Sequence, residues 1–275
     1  MSDDGELEFT ILGCGSSAGV PRVGNLWGDC DPDEPKNRRN RCALLVQRTG
    51  KGGTTTVLVD AGPDLRQQLL DARVTHLDAV LLTHAHADHL HGIDDLRPLA
   101  ITHRQLIPVH MDATTSVRAH DLFFYGFKTP EGSSYPPILK ENRIEPGKHY
   151  TIDGAGGPIP FQPVKVAHGD INALGFRFGS VAYLPDVKSI PDASRPTFEG
   201  LDTWVIDALR RTPHPSHFSL DDALECIRDL APKRAILTNM HIDMDYATLT
   251  QELPDGVVPA YDGMRFRGAP GHEPK

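Results

Sequence analysis

Four side chains able to bind a metal ion lie within six residues, directly after a run that predicts a buried strand. The run covers residues 78–82, and the motif that follows is Thr-His-Ala-His-Ala-Asp-His at residues 83–89. His84 and His86 are two residues apart, so near the end of a strand they can project to one side. Asp88 and His89 then turn the other way and can serve a second ion. Imidazole and carboxylate together suit Zn, Mn or Fe better than Ca.

The motif therefore predicts two divalent metal ions at the end of a strand. The alternative is a histidine-rich surface turn, because a chain with 14 histidines can place several of them together without a metal. Surface turns seldom follow a buried strand with this grouping of residues, and the metal interpretation is preferred.

Strand and helix patterns alternate along the chain, which predicts an α/β fold. Glycine-bounded runs at 42–46 and 56–59 indicate a hairpin, and Ser219 with Asp222 indicates a capped helix. Residues 126–160 contain six glycines and six prolines, so they are predicted to form an irregular insertion or lid. Since no linker is visible, residues 1–275 are predicted to form one domain. Further strand patterns lie at 7–11, 164–167, 174–178, 181–184, 204–206 and 235–237.

Composition narrows the cellular setting. The formal charge of −9 weakens the case for a nucleic-acid partner. The acidic residues 1–8 lack the basic and apolar regions of a secretory leader, and no apolar run approaches the length of a membrane span. The four cysteines, at positions 14, 30, 42 and 226, include no Cys-x-x-Cys pair. A cytoplasmic protein without disulfides is therefore expected.

The motif and its context resemble the metallo-β-lactamase superfamily over nearly the whole chain. This resemblance implies a four-layer αββα sandwich with the metals at one edge of two sheets. It also implies the remaining site residues, each matched to a position after a strand. They are Asp60 as a residue supporting the ligands, His168 as a third ligand of the first ion, Asp186 as a bridge and His241 as the last ligand of the second ion.

Two further motifs resemble the phosphodiesterase branch of the superfamily, which includes tRNA 3′-processing endonucleases and PhnP-type cyclic phosphodiesterases. The run His-Pro-Ser-His-Phe-Ser at 214–219 matches its extra histidine motif, which implies a catalytic role for His217 and an adjacent one for His214. The loop at 13–21 matches as well, and Ser16, Ser17 and Arg22 are predicted to bind substrate. The basic run at 36–41 either attracts a phosphate or forms a solvated loop.

The chain departs from these relatives in two places. PhnP-type proteins carry a structural zinc near the N-terminus, but this region offers only Cys30 and Cys42, and Met244 stands where a histidine would follow. That zinc is not predicted. The endonucleases grip tRNA with a basic arm, whereas residues 126–160 contain four basic and four acidic residues. A large nucleic acid is therefore not the expected substrate.

The resulting hypothesis is a metal-dependent phosphodiesterase that acts on a small diester, such as a nucleotide or phosphoribosyl cyclic phosphate. Two divalent ions, Zn or Mn with Fe as a further option, would activate a shared water. Asp88 would act in catalysis as well as in metal binding, and His217 would donate a proton to the leaving group. Three alternatives stay open, namely a thioester or lactone hydrolase, a tRNA 3′-processing endonuclease and a non-enzymatic nucleotide-binding module. The sequence leaves the oligomeric state open, with a homodimer as one option.

Overall fold

The computed structural model of the protein describes residues 5–271, so half of the acidic start at residues 1–8 lies outside the described residues. Two seven-stranded sheets pack face to face. The first contains, in order across the sheet, β14 (Arg265–Gly268), β1 (Leu7–Gly13), β2 (Ala43–Gly50), β3 (Gly53–Val59), β4 (Ala79–Leu81), β5 (Ile107–Met111) and β6 (Leu139–Arg143). The second contains β13 (Val257–Pro259), β12 (Arg234–Thr238), β11 (Thr203–Asp207), β10 (Val181–Leu184), β9 (Ile171–Phe178), β8 (Ile159–His168) and β7 (Tyr150–Ile152).

Each sheet is antiparallel on one side and parallel on the other. Strands β14, β1, β2 and β3 pair antiparallel, and β3 to β6 pair parallel. In the second sheet β7 to β10 pair antiparallel, and β10 to β13 pair parallel. Successive residues of a strand face opposite sides, which is why Leu44 and Val46 lie in the core between the sheets and Leu45 lies in the outer core.

Helices cover the outer face of both sheets. Those on the first sheet are α1 (Leu65–Asp71), α2 (Ala87–Leu90), α3 (Arg97–His103) and α4 (Ala113–Phe127), and those on the second are α5 (Leu220–Leu230) and α6 (Tyr246–Glu252). Ser219 caps the start of helix α5 and forms a complete capping box with Asp222. The predicted αββα sandwich is confirmed. No helix within residues 5–271 combines the length and the hydropathy that a membrane span requires.

The irregular insertion or lid predicted over residues 126–160 is instead a crossing from the first sheet to the second. Strand β6 pairs with β5, and β7 pairs with β8. Ile138, Ile144 and Ile152 are buried. Most of the glycines and prolines lie in the irregular stretches before β6 and on either side of β7, so their number hides the short strands between them.

Candidate metal centre and active site

The candidate site lies at one edge of the sandwich, where strands of both sheets end. Asp60 follows β3, and the His84–His89 motif follows β4. His168 ends β8, Asp186 follows β10 and His241 follows β12. Strands β3 and β4 run parallel, as do β10, β11 and β12, so their carboxyl ends meet at the same edge. The fold thus brings together residues that are up to 181 positions apart in the chain.

A first group of donor atoms consists of His84, His86, His168 and Asp186, whose ligand atoms all lie within 4.8 Å of one another. Asp186 Oδ2 is 3.4 Å from His84 Nε2 and 3.5 Å from His168 Nε2. His168 Nε2 is 3.3 Å from His86 Nδ1. Nitrogen and oxygen ligands at about 2.0–2.1 Å from a tetrahedral ion lie roughly 3.3–3.4 Å apart. The group therefore fits a single divalent ion.

His89 provides a second point of attachment. It is fully buried, and its Nε2 lies 3.3 Å from both Asp88 Oδ2 and Asp186 Oδ2. Among the described residues Nε2 has no hydrogen-bond partner. Burial acts to lower the pKa of His89, but Asp186, Asp88 and Asp60 outweigh it and raise that pKa well above its ordinary value. Such a carboxylate-rich pocket favours a positive charge, which a cation between these atoms would provide.

Asp186 is common to both groups, because the same Oδ2 faces His84, His168 and His89. Burial acts to raise the pKa of Asp186, but His89 and His84 outweigh it and hold that pKa well below its ordinary range. The carboxylate is therefore ionised and placed between two sets of imidazoles. His241 lies on the wall of the same cavity, with its Nδ1 3.1 Å from Asp243 Oδ1 and outside the four-residue group.

Asp60 lies behind the cluster and is fully buried. Its Oδ2 is 2.7 Å from His89 Nδ1, and its Oδ1 accepts a hydrogen bond of 2.8 Å from the Thr83 amide. The Thr83 hydroxyl also donates to this carboxylate. Because the proton of a neutral His89 is directed to Nδ1, its Nε2 lone pair faces the carboxylates of Asp88 and Asp186. Asp60 is positioned as the supporting residue that the sequence predicts.

His217 stands beside the cluster, with its ring centroid 4.6 Å from that of His168. Its Nδ1 is 2.8 Å from Asp207 Oδ2. Burial acts to lower the pKa of His217, but the hydrogen bond and charge of Asp207 outweigh it and raise that pKa. Burial raises the pKa of Asp207 to about 6. His214 lies next to His217, with their ring centroids 5.2 Å apart, and accepts hydrogen bonds from Ser216.

Sequence reasoning missed Asp207 and Asn239. The Asn239 amide donates to Asp186 Oδ1 and to Asp207 Oδ1, at 3.1 Å each. It thus joins the metal cluster to the pair of Asp207 and His217. A signal for Asp207 existed, because Trp-Val-Ile-Asp at 204–207 ends a strand in an aspartate just as Leu-Val-Asp at 58–60 does. Asn239 has a φ of +62°, a conformation that asparagine tolerates better than most residues.

The cluster opens into a cavity of about 360 Å³. Its walls include the predicted substrate-binding residues Ser16, Ser17 and Arg22 as well as His214 and His217. Ala18 and Leu209 are the apolar side chains among the described residues that line it. A larger surface cavity of about 620 Å³ lies against α5 and contains none of these residues.

The basic run at 36–41 does not face this cavity. Lys36 Nζ lies 4.4 Å from the ring centre of Tyr246, and Arg41 pairs with Asp64 at 2.7 Å. Arg39 is buried, where it donates to the carbonyl oxygen of Met244 and lies against the Cys30 sulfur. The run braces the loop after β1 against the segment at 241–246, and none of its residues lines the cavity. Its role in attracting a phosphate stays a prediction.

A model of the β-lactamase superfamily domain matches residues 55–242, which include every metal-binding candidate. A crystal structure of a diphosphatase from the PhnP family superposes with a TM-score of 0.85 and 34% identity, covering 97% of this chain and 100% of that one. Zinc-bound PqqB from Methylobacterium extorquens shares the fold, with a TM-score of 0.72 and 17% identity over 94% of this chain and 99% of that one.

Two curated relatives bear different names. An octanoyltransferase of Porphyromonas gingivalis is 33% identical over 267 residues, which is 94% of this chain and 51% of the relative. A ribonuclease Z of Bradyrhizobium diazoefficiens is 34% identical over 186 residues, which is 65% of this chain and 53% of the relative. The chain spans about half the length of these two relatives.

Proposed function

The chain belongs to the β-lactamase superfamily, and from this premise we propose that it is a metal-dependent hydrolase that cleaves a small phosphodiester. The observation that carries the proposal is the pair of His217 and Asp207, joined at 2.8 Å beside the metal cluster. A held imidazole at this place suits protonation of an alkoxide leaving group. The likeness to a PhnP-family diphosphatase also supports a phosphorus-containing substrate.

We propose that the site holds two divalent ions. His84, His86 and His168 would hold one, and Asp88, His89 and His241 the other, with Asp186 shared between them. Bound there, Zn or Mn, or Fe, would supply an activated water and offset the charge that develops on the phosphoryl oxygens. The buried, unpartnered Nε2 of His89 among carboxylates supports this assignment.

The chain's own residues would perform the proton transfer. His217 is held through Nδ1 by Asp207, which leaves Nε2 to donate a proton to the leaving oxygen. Asn239 donates hydrogen bonds to both Asp207 and Asp186. It therefore holds Asp207, and with it the His217 imidazole, in a fixed position beside the metal cluster. His214, on the cavity wall, would steady the same leaving group.

The cavity supports a small substrate, because about 360 Å³ accommodates a nucleotide-sized molecule rather than a folded RNA. Its polar walls suit a charged substrate better than the acyl chain of a thioester. The similarity to ribonuclease Z nevertheless makes tRNA 3′-end cleavage the second candidate.

The test is hydrolysis of bis-p-nitrophenyl phosphate by protein reconstituted with Zn or Mn. The monoester p-nitrophenyl phosphate, an acyl thioester and a precursor tRNA are assayed beside it. We expect turnover of the diester, loss of turnover in chelator, and about two metal ions per chain by elemental analysis.

Cleavage of the thioester without the diester would overturn the proposal and leave the proton-donor role of His217 without support. Cleavage of the precursor tRNA at rates far above those for small diesters would favour the second candidate. Tight nucleotide binding with no turnover of any compound would indicate the non-enzymatic alternative.

A further inference from the structure

Arg39 is a buried cation whose hydrogen-bond partners among residues 5–271 are all neutral. The residue is 2% exposed, and its guanidinium donates to the carbonyl oxygens of Met244 and His241, to Asn37 Oδ1 and to the Cys30 sulfur. Burying a charged side chain without an ion pair costs free energy, and an apolar side chain of similar size often fills such a space at lower cost. Packing alone therefore does not explain an arginine at this position.

The guanidinium joins two segments that lie far apart in the chain. Nη2 donates to the Met244 carbonyl oxygen at 2.7 Å, and Nη1 donates to that of His241 at 3.5 Å. Both carbonyl groups belong to the irregular segment between β12 and α6. A guanidinium carries its N–H groups in a rigid fork, so one side chain can hold two acceptors in a set relation to each other. Arg39 thus ties the loop after β1 to the segment that carries His241.

The backbone of His241 is fixed on both sides. Its amide donates to the Leu209 carbonyl oxygen at 2.9 Å, while its carbonyl oxygen accepts from Arg39. The ring is held separately, because Nδ1 lies 3.1 Å from Asp243 Oδ1 and Asp243 Oδ2 accepts from the Arg211 amide at 3.1 Å. Asp243 therefore orients the imidazole, and Arg39 fixes the backbone from which it extends.

The residues around Arg39 do not fit the structural zinc of PhnP-type proteins. Cys30 and Met244, two positions compared with that zinc site, both contact the guanidinium, at 3.9 Å from the sulfur and 2.7 Å from the carbonyl oxygen. Within residues 5–271, no group of three metal-binding side chains includes Cys30. A positive guanidinium in the same place would also repel a divalent cation. Hydrogen bonds from Arg39 tie these two segments together instead.

We propose that Arg39 is a positioning residue for the second metal ion and acts through His241. The proposal rests on the two-ion assignment above, in which His241 shares the second ion with Asp88 and His89. Without the guanidinium, the segment between β12 and α6 loses its tie to the loop after β1. A ligand that must be ordered when the ion binds gives a lower affinity, because ordering costs conformational entropy. The three histidines assigned to the first ion are not partners of Arg39, so that ion should not depend on it.

Metal binding measured without substrate tests the proposal. Arg39→Met keeps a long side chain and removes every donor. The affinities of Zn for the protein are measured by competition with a chromogenic chelator, and elemental analysis gives the number of ions. His241→Ala, which removes the ligand itself, identifies the step of the titration that belongs to the second ion. In Arg39→Met we expect the affinity for this ion to fall about 10–100-fold, the usual effect of losing a group that supports a ligand, with the first ion unchanged.

Arg177→Met is the matched control. Arg177 also donates to backbone carbonyl oxygens, through Nε to Gly179 at 2.8 Å and through Nη1 to Thr197 at 2.7 Å. It lies in β9, six residues from Ile171, which pairs with His168 at the edge of the site. This variant should lose stability, measured by its melting temperature, and keep the wild-type affinity for both ions.

Arg39→Lys serves as a second variant in case Arg39→Met does not fold. It keeps the charge, but a single ammonium lacks the fork that meets both carbonyl groups. We expect a loss of affinity for the second ion here too, smaller than in Arg39→Met.

Full affinity for the second ion in folded Arg39→Met, or in Arg39→Lys if the methionine variant does not fold, would overturn the positioning role. An equal loss in Arg177→Met, or loss of both ions from Arg39→Met, would also overturn it, since Arg39 would then support the fold in general. A wild type that binds one ion would contradict the two-ion assignment and this inference together. Because no substrate is used, none of these results depends on which bond the protein cleaves.

Discussion

His217 is assigned to proton transfer and not to metal binding. Its Nδ1 is engaged by Asp207, and it lies outside the donor group around Asp186. His217→Ala is therefore expected to lower kcat by about 10²–10⁴-fold, the usual contribution of a positioned acid or base, with metal content unchanged. Steady-state kinetics and elemental analysis of the same sample measure both quantities.

His214→Ala is the matched comparison, because it removes a neighbouring imidazole that accepts hydrogen bonds from Ser216 instead of an aspartate. A smaller loss of kcat is expected there. Loss of metal from His217→Ala would make His217 a ligand and contradict the assignment.

When His89 is neutral, as a metal ligand must be, the Asp60 carboxylate directs its one ring proton to Nδ1. In Asp60→Asn, the side-chain oxygen can still accept from Thr83, but the amide NH₂ faces His89 Nδ1. The proton of His89 must then move to Nε2, which loses the lone pair that a metal needs. We expect metal affinity to fall about 10–100-fold, measured by competition with a chromogenic chelator.

Asp64→Ala is a suitable control, since it removes a nearby carboxylate that pairs with Arg41 and not with the cluster. Its metal affinity should match that of the wild type. An Asp60→Asn protein with full affinity would show that Asp60 does not act through His89.

At the scale of elements, the cap of α5 connects stability to the histidine motif that precedes it. The Ser219 hydroxyl accepts from the Asp222 amide, and the Asp222 carboxylate accepts from the Ser219 amide. Ser219→Ala should lower the free energy of unfolding by about 1 kcal/mol, within a range of about 0.5–2. Urea denaturation measures it. Glu225→Ala, an exposed change in the next turn, should cost less than about 0.5 kcal/mol.

The contact between α4 and β6 is predicted to depend on pH. Glu141 in β6 accepts from Ser116 in α4, and its other oxygen lies 2.8 Å from His120. Burial acts to raise the pKa of Glu141, but the hydrogen bonds from Ser116, Arg143 and His120 outweigh it and lower that pKa. A carboxyl with a lowered folded-state pKa stabilises the fold above its ordinary pKa, and this stability disappears as the pH falls through the folded-state value.

Glu141→Gln should therefore reduce the free energy of unfolding at pH 7 by up to about 1 kcal/mol, since the group is partly exposed. The difference from the wild type should shrink as the pH falls below about 4.5. Denaturation at several pH values measures it. Glu145→Gln, which removes an exposed ion pair to Lys148, should differ less from the wild type in free energy of unfolding at every pH. If the difference between the wild type and Glu141→Gln instead grows as the pH falls, the prediction is contradicted.

For the whole molecule, the candidate ligands come from both sheets, so metal binding and folding should be coupled. A ligand present at 100 times its dissociation constant stabilises the folded state by about 2.7 kcal/mol. Chelator should lower the melting temperature, and added Zn or Mn should restore it.

In Asp186→Ala, which removes the shared carboxylate, metal binding and activity should be lost together. The melting temperature of this variant should no longer respond to metal. An equal response in both proteins would place the ions elsewhere.

One core contains residues of both sheets, among them Phe9 of β1 and Phe176 of β9, and on this ground we propose that the chain is one domain. The homodimer and the cytoplasmic location stay predictions.

The 15-residue helix α4 was not predicted from the sequence, because exposed Val117 and Phe124 interrupt its polar face and because Phe123 departs from helical geometry. A single apolar stripe, which makes α5 easy to recognise, is absent there.

The sequence by itself determined the fold class, the family and the set of metal-binding candidates, because the His-x-His-x-Asp-His motif and the aspartates after strands are local patterns. Tertiary structure alone decided which groups meet. It joined Asp207 and Asn239 to the cluster, buried Arg39, and placed strands β6 and β7, which belong to different sheets, within residues 126–160. It also set Ser16 and Arg22 on the cavity wall. These outcomes depend on contacts between residues far apart in the chain, and such contacts leave no local period or spacing in a single sequence.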